Sequence, residues 1–573
     1  MRRLMKFRRI AILVFVVILL GCGGWIYWNR VSPSDLSVWV PANSLAYLEV
    51  DNLSGLTDGL QQTSAWKSLA PLLGAPDKLS PNRWLIRCAR WTGIGSADAL
   101  LFARSQVGLV LSGSEGTESG ATLIIKPLLT LIVETHTAQR RMRGAIERHV
   151  EQIARDDFGN PTFVRKELAG IELNEWQSED GAKRIVFAFV NTTAFIGNDE
   201  TGVLHSIETG AGRRASLKSQ TEVELMRHLL DSSTAATFGF VTQAGVKSLL
   251  QTYALKMESA GRVSNDSITK ARLFSDTFGG IVKQLGWTAR FTGGALEDRV
   301  SIVLAEGVTE RLRASMAPER ALDLAQLPFV PSDSQSVSIY SFRDTSSVWN
   351  DLTAVISSHA DFIGAMAVRP VMRNLLNAYG VMDADLFTRG VGPRLTTVRI
   401  EEAYPAVLVA EAFDRPAIQK AIAERFGGNG RREKFADSDL LIAGDNWTAA
   451  FYQGSFLIGP GEQVRRCLQA RVSGESISST RAFREAQRSV DLSLPLTVLS
   501  FTNDSRSAVS FIDAFSQQPR SSFSENADAI SQASQALPLA MSAVVVKQGS
   551  LEWTSRSSFG IGGAIATELF PQK

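Results

Sequence analysis

VPANSLAYLEVDNLSGLTDGL, residues 40–60, joins a proline-marked start, a short alternating stretch and a helix-start signal. In SLAYLEV, Leu45, Tyr47 and Glu49 alternate with Ala46, Leu48 and Val50, the period of a strand with at least one buried face. Asn52 then precedes Leu53, Leu56 and Leu60 at helical spacing. A phrase of the same build returns at residues 330–352, VPSDSQSVSIYSFRDTSSVWNDL.

The recurrence extends along the chain. ADALLFAR (97–104) comes back as MDADLFTR (382–389), and LTLIVETHTAQRRMRGAI (129–146) as AVLVAEAFDRPAIQKAI (406–422). FVNTTAFIGNDE (189–200) corresponds to FYQGSFLIGPGE (451–462), and TFGFVTQAGVKSLL (237–250) to VLSFTNDSRSAVSFI (498–512). FTGGALED (291–298) corresponds to VKQGSLEW (546–553). Six blocks in one order predict an internal duplication of two α+β units with antiparallel hairpins, with a spacing too long for a solenoid repeat. The expected organisation is residues 40–310 and 328–573 as the two units, with a helical joint over 311–327. The stretch 154–179 has no evident counterpart of equal length. SGSEGTESG (112–120) reads as a hairpin turn.

The N-terminus predicts an address. Arg2, Arg3, Lys6, Arg8 and Arg9 precede an uncharged run, IAILVFVVILLGCGGWIYW (10–28), which as a helix spans roughly 28 Å, near the thickness of a bilayer core. Basic residues before it place 1–9 in the cytoplasm, and Trp25, Tyr27 and Trp28 suit an interfacial belt. Residues 29–39 read as a linker and the remainder as extracytoplasmic. Leu19-Leu20-Gly21-Cys22 supports a rival reading, cleavage and lipidation at Cys22. The uncleaved anchor is preferred, because Leu20 is not small and apolar aromatics continue past the cut.

Composition is that of a globular chain: 573 residues, 45% apolar and 21% charged, too long for one core. A net charge of +2 provides no basic field for nucleic acid. Three cysteines make neither a disulfide framework nor a zinc-rich module, though Cys88 and Cys467 could pair in an oxidising compartment.

Motifs for chemistry are thin. The five histidines, His136, His149, His205, His228 and His359, form no HExxH, and His205 with Glu208 has no third ligand. Ser64–Lys67 and Ser267–Lys270 fit S-x-x-K without the accompanying K-T-G, and no G-x-S-x-G occurs. GGNGRRE (427–433) lacks P-loop spacing and reads as a helix C-cap and turn. The basic helix 139–155 is diluted by Glu147 and Glu151 and reads as a solvated face, not a lipid-headgroup site. Asn191, Asn265, Asn446 and Asn503 begin Asn-x-Ser/Thr triplets, meaningful only in a eukaryotic secretory pathway. No catalytic, cofactor-binding or metal-ligating residue is assigned from sequence.

The phrase VPANSLAYLEVDNLSGL, placed soon after a single apolar run, resembles the start of the exported part of uncharacterised bacterial membrane-anchored envelope proteins, known as domains of unknown function. The resemblance implies a bacterial, exported origin and transfers no site residues. Two classes of function fit. One is a non-enzymatic envelope protein that binds a protein partner or small ligand. The other is an extracytoplasmic hydrolase with a non-standard site. The first is preferred, because assembled catalytic sets leave local signatures. Mass spectrometry of the mature protein checks the anchor: residues 1–28 are expected intact, and a lipid-modified Cys22 at the N-terminus would replace the transmembrane reading.

Overall fold

The computed structural model describes residues 34–69, 105–119, 122–136, 140–168, 170–258, 265–360, 362–401, 403–427, 430–435, 437–504 and 527–563. The fold is mixed α+β around one 20-stranded sheet in which every named pairing is antiparallel. No helix among the described residues is long and apolar enough to cross a membrane. The 10–28 run, Cys22, Cys88 and the 97–104 block lie outside the described residues.

The first half contributes β1 (Ala46–Val50), β2 (Gln106–Ser119), β3 (Thr122–Glu134), β4 (Thr162–Leu168) and β5 (Ile171–Gln177). It continues with β6 (Arg184–Val190), β7 (Thr193–Gly197), β8 (Thr237–Val241), β9 (Val282–Thr292) and β10 (Ala295–Leu304). Their hydrogen-bonded order is β4-β5-β6-β7-β3-β2-β1-β8-β9-β10.

The second half supplies β11 (Ser336–Ser341), β12 (Val391–Arg399), β13 (Val407–Ala412), β14 (Arg431–Phe435) and β15 (Ser438–Ile442). After these come β16 (Trp447–Tyr452), β17 (Ser455–Pro460), β18 (Val498–Asn503), β19 (Leu539–Val546) and β20 (Ser550–Ser557). They pair in the same sequence, β14-β15-β16-β17-β13-β12-β11-β18-β19-β20. β10 then pairs with β20, joining the halves edge to edge.

The opening phrase sits at the centre of each half. Val40 O accepts from Leu217 N at 2.7 Å, and Val330 O from Ile477 N at 2.9 Å. The prolines form matching isolated bridges, Pro41 with Ser216 and Pro331 with Ser476. Proline fits because its carbonyl is the group in use: it accepts from Ser44 N at 3.0 Å in one half and from Ser334 N at 3.2 Å in the other. The helices that follow are capped alike, Asn52 accepting from Gly55 N at 3.0 Å and Asp344 from Ser347 N at 2.7 Å.

Helices cover both faces of the sheet. On one face Val40, Tyr47, Val110, Phe195, Val203, Leu217 and Val223 form the first core, answered in the second half by Val330, Val337, Val398, Leu457, Val464, Ile477 and Phe483. On the other face Met142, Ile146 and Val150 of the Arg140–Phe158 helix meet Trp176 and Phe187. Ile418 and Ile422 of the Arg415–Phe426 helix likewise meet Leu408, Phe456 and Ile458. Across the join, Ile281, Leu304, Val308 and Leu312 of the first half pack on Val355 of the second.

Three expectations are corrected. Gly113 and Gly116 do not turn; they lie in β2 beyond a bulge between Leu111 and Gly113, because the apolar, β-prone run of β3 extends the ladder as far as Ser119 opposite Thr122. Part of the expected 29–39 linker is built into the core: Leu36–Trp39 is a 3₁₀ turn whose Leu36 is fully buried. The helix at the join is Val308–Met316, earlier than the 311–327 span, since Gly307 in the left-handed region starts it right after β10. The stretch 154–179 has a counterpart, though not one of equal length: the β4–β5 hairpin matches β14–β15, whose strands are shorter, five residues each against seven.

One close approach is backbone-limited. A Cβ on Gly245 would lie 1.9 Å from the Leu45 carbonyl oxygen. Gly245→Ala is expected to cost about 1–3 kcal/mol in chemical unfolding. Gly144→Ala, on the Arg140–Phe158 helix with only a side-chain atom at 3.5 Å, should instead gain about 0.5–1 kcal/mol.

Candidate functional site

A buried polar cluster lies under the 3₁₀ turn and the Thr221–Leu229 helix, against β1 and β8. Strand alternation turns Tyr47 and Glu49 inward, and Glu49 is only 2% exposed. The Tyr47 hydroxyl donates to Glu49 Oε2 at 2.7 Å, and Arg227 Nη1 donates to Glu49 Oε1. The Arg227 guanidinium stacks 4.4 Å from the centre of the Phe238 ring and lies 3.8 Å from Asp35. Lys218 reaches Asp35 at 3.3 Å, while Asp35 caps the 3₁₀ turn by accepting from Ser37 N at 3.0 Å.

Burial dominates the titration of this group. Desolvation raises the Glu49 carboxyl above its ordinary value, against the pull of Arg227 and Tyr47. Burial, with the Glu49 charge adding to it, lifts the Tyr47 hydroxyl well above its own. For Asp35 burial works upward, but the Ser37 hydrogen bonds and Arg227 bring it below the usual carboxylate value. Arg227 is held charged: burial opposes its charge, and the Glu49 carboxylate overcomes that.

The second half has none of this chemistry. Ala46 faces Leu111 and Val241, and Ser336 faces Arg399 and Thr502, so the matching registers equate Glu49 with Ile339 and Tyr47 with Val337. β11 runs one residue longer than β1 before its helix cap. The matching 3₁₀ turns and helices place Ser478 where Lys218 stands and Gln487 where Arg227 stands. An ionic cluster in one half is an apolar core in the other. Chemically it is a clamp that fixes the 3₁₀ turn and helix to the sheet, with each Glu49 oxygen engaged once and Arg227 Nε and Nη2 left without a hydrogen-bond partner.

The residues singled out from sequence do not converge. Glu208 of the HSIE stretch pairs with Arg214 at 2.7 Å. His136, in a left-handed backbone with φ 54°, donates its own N–H to buried Glu134 at 2.7 Å. Ser64 N donates to Gly294 O at 2.7 Å at the start of a helix. Cys467 is fully buried and burial pushes its thiol up to about 12. Gly427 is the C-cap of its helix, but Arg431–Glu433 of the GGNGRRE run already belong to β14. On the basic helix, Arg143 pairs with Glu172 at 2.9 Å and Arg155 with Glu151 at 2.6 Å. Among the described residues no group of three His, Cys, Asp or Glu is placed to hold a metal. A cleft of about 110 Å³, lined by Thr309, Glu310, Arg313, Lys547 and Gln548, lies where the join helix meets the β19–β20 turn. It has room for a few waters. Arg227 was the residue sequence reasoning missed. A buried acid inside an apolar strand, Glu49, was the available signal that a distant cation must cover it.

No protein-family profile matches the chain, and no curated protein matches it. Among solved structures, crystal form I of TP0453 aligns at 8% identity and a TM-score of 0.24, covering 49% of this chain and 81% of that one. Crystal form III aligns at 9% and 0.25, covering 48% and 82%. At such TM-scores the likeness carries no argument.

Arg227→Ala leaves Glu49 buried and unpaired, and is expected to destabilise by about 3–5 kcal/mol. Replacing the cluster by apolar side chains of similar volume, Tyr47→Phe, Glu49→Leu and Arg227→Met, should recover most of that loss in the same denaturant titration. A raised carboxyl favours the folded state below the ordinary carboxylate range and loses that contribution as pH rises through its folded value. Thermal unfolding followed against pH should therefore show a downward slope above the ordinary carboxylate range, which Glu49→Gln removes.

Proposed function

We propose that the protein is a membrane-tethered, extracytoplasmic binding or scaffold protein of a bacterial envelope, its body an internally duplicated pair of α+β units. The basic segment 1–9 and apolar run 10–28 support the tether and its orientation. The repeated strand order supports the duplication. One observation carries the functional half of the reading. Between equivalent positions the two halves keep burial and discard chemistry: Tyr47, Glu49 and Arg227 stand where Val337, Ile339 and Gln487 do. A frame kept twice for its shape, with polar groups free to differ, suits a protein that presents surface to an envelope partner or small ligand.

Crosslinking of the tethered protein in its native envelope, followed by recovery and mass spectrometry, tests this. A reproducible envelope partner is expected that is absent when residues 1–28 are replaced by a cleavable signal peptide and the body is released. Recovery of the protein without any partner from the intact envelope would count against a scaffold role.

A further inference from the structure

We propose that the β10–β20 join is a selective recognition surface through which a first half accepts a second half, its own or that of another copy of this chain, and refuses a like half. The two strands are equivalent elements meeting about a local two-fold axis. Tight turns at Gly293–Gly294 and Gln548–Gly549 set Ala295 and Ser550 at the same place in their hairpins, so Arg299 is equivalent to Thr554. Those two residues face each other directly in the ladder. Such an axis would serve two identical strands equally well by its geometry, so discrimination has to come from side chains.

The first discriminating feature is charge. As built, Glu297 faces Arg556, Arg299 faces Thr554 and Ser301 faces Glu552. A second β10 in place of β20 would set Arg299 against Arg299, like charges directly opposed, which destabilises an antiparallel pair. β20 carries no such conflict with itself, since Glu552 would meet Arg556 and Thr554 would meet Thr554.

The second feature blocks that alternative. Past β20 the chain turns, and two buried carboxylates, one from each half, take its amides. Asp504 accepts from Ser558 N at 2.7 Å, and Asp298 of β10 accepts from Ile561 N at 3.0 Å. Asp298 is held in place by Trp287 Nε1, which donates to its other oxygen at 2.8 Å. The position equivalent to Asp298 in the second half is Trp553, packed among Trp287, Ala289 and Val300. In a β20–β20 pair the Ile561 amide would meet an indole in place of a carboxylate and lose its acceptor. Each like pairing is thus refused by a different device, the logic of a specificity built by exclusion.

The test uses the full-length chain in detergent with a protease site inserted between exposed Glu319 and Arg320. Cleaved chains carrying an affinity tag on the first half are mixed with cleaved untagged chains, loosened in mild denaturant and returned to buffer. The tag should recover untagged second half and no untagged first half. Equal recovery of both, or separation of the halves on cleavage before any mixing, overturns the proposal. Arg299→Thr, which gives β10 the residue found in β20, should add untagged first half to the recovered material. An unchanged pull-down from that variant overturns the role given to charge.

Discussion

The rest of the molecule depends on an edge being closed. Each half is an open antiparallel sheet, and an open edge leaves a row of backbone donors and acceptors without partners. The ladder from Leu296 opposite Ser557 to Val303 opposite Ser550 satisfies one edge of each half with the other. Around it the halves interlock: Trp553 of β20 packs with Trp287 of β9, and Val355 packs on Ile281 and Leu304. Backbone pairing of this kind is indifferent to sequence, so the same frame can carry two quite different sets of side chains.

Much of that frame was readable in residues. Alternation in SLAYLEV, the paired prolines and the order of the blocks located β1, β3, β6 to β10 and their partners, because apolar periodicity survives where polar identity does not. The misses have physical causes. The 216–230 and 476–490 segments are equivalent in space, each a 3₁₀ turn followed by a short helix, but beyond Ser216/Ser476, Ser219/Ser479 and the buried pairs Leu217/Ile477 and Val223/Phe483, SLKSQTEVELMRHLL and SISSTRAFREAQRSV share little. The glycines of β2 read as a turn because turn propensity is local, whereas the length of a ladder is decided by its partner. Of the Glu49 cluster, the acid was visible in sequence. Its cation was not, since Arg227 arrives from a segment far along the chain.

The cluster also shows how two halves of one strand order can differ. An ion pair in a core is often no more stabilising than well-packed apolar side chains, yet removing one partner alone is costly. Ile339 and Glu49 are therefore alternative solutions to one position, with few stable single-step routes between them. Such a site tends to stay as it is once formed, whatever else the surface acquires.

The place of β1 has a consequence for how the chain is made. It is the first strand among the described residues and lies in the middle of its half, paired on one side with β2 and on the other with β8, where Ala46 meets Val241. Its second side stays unpaired until residue 241 has been added, and the same delay recurs when Ser336 of β11 waits for Thr502. Pairings so distant along the chain make folding slow and leave apolar strand edges exposed in the meantime. A newly made chain therefore passes through two long intervals in which a holding factor, or a rapid rate of emergence, decides whether it folds or aggregates.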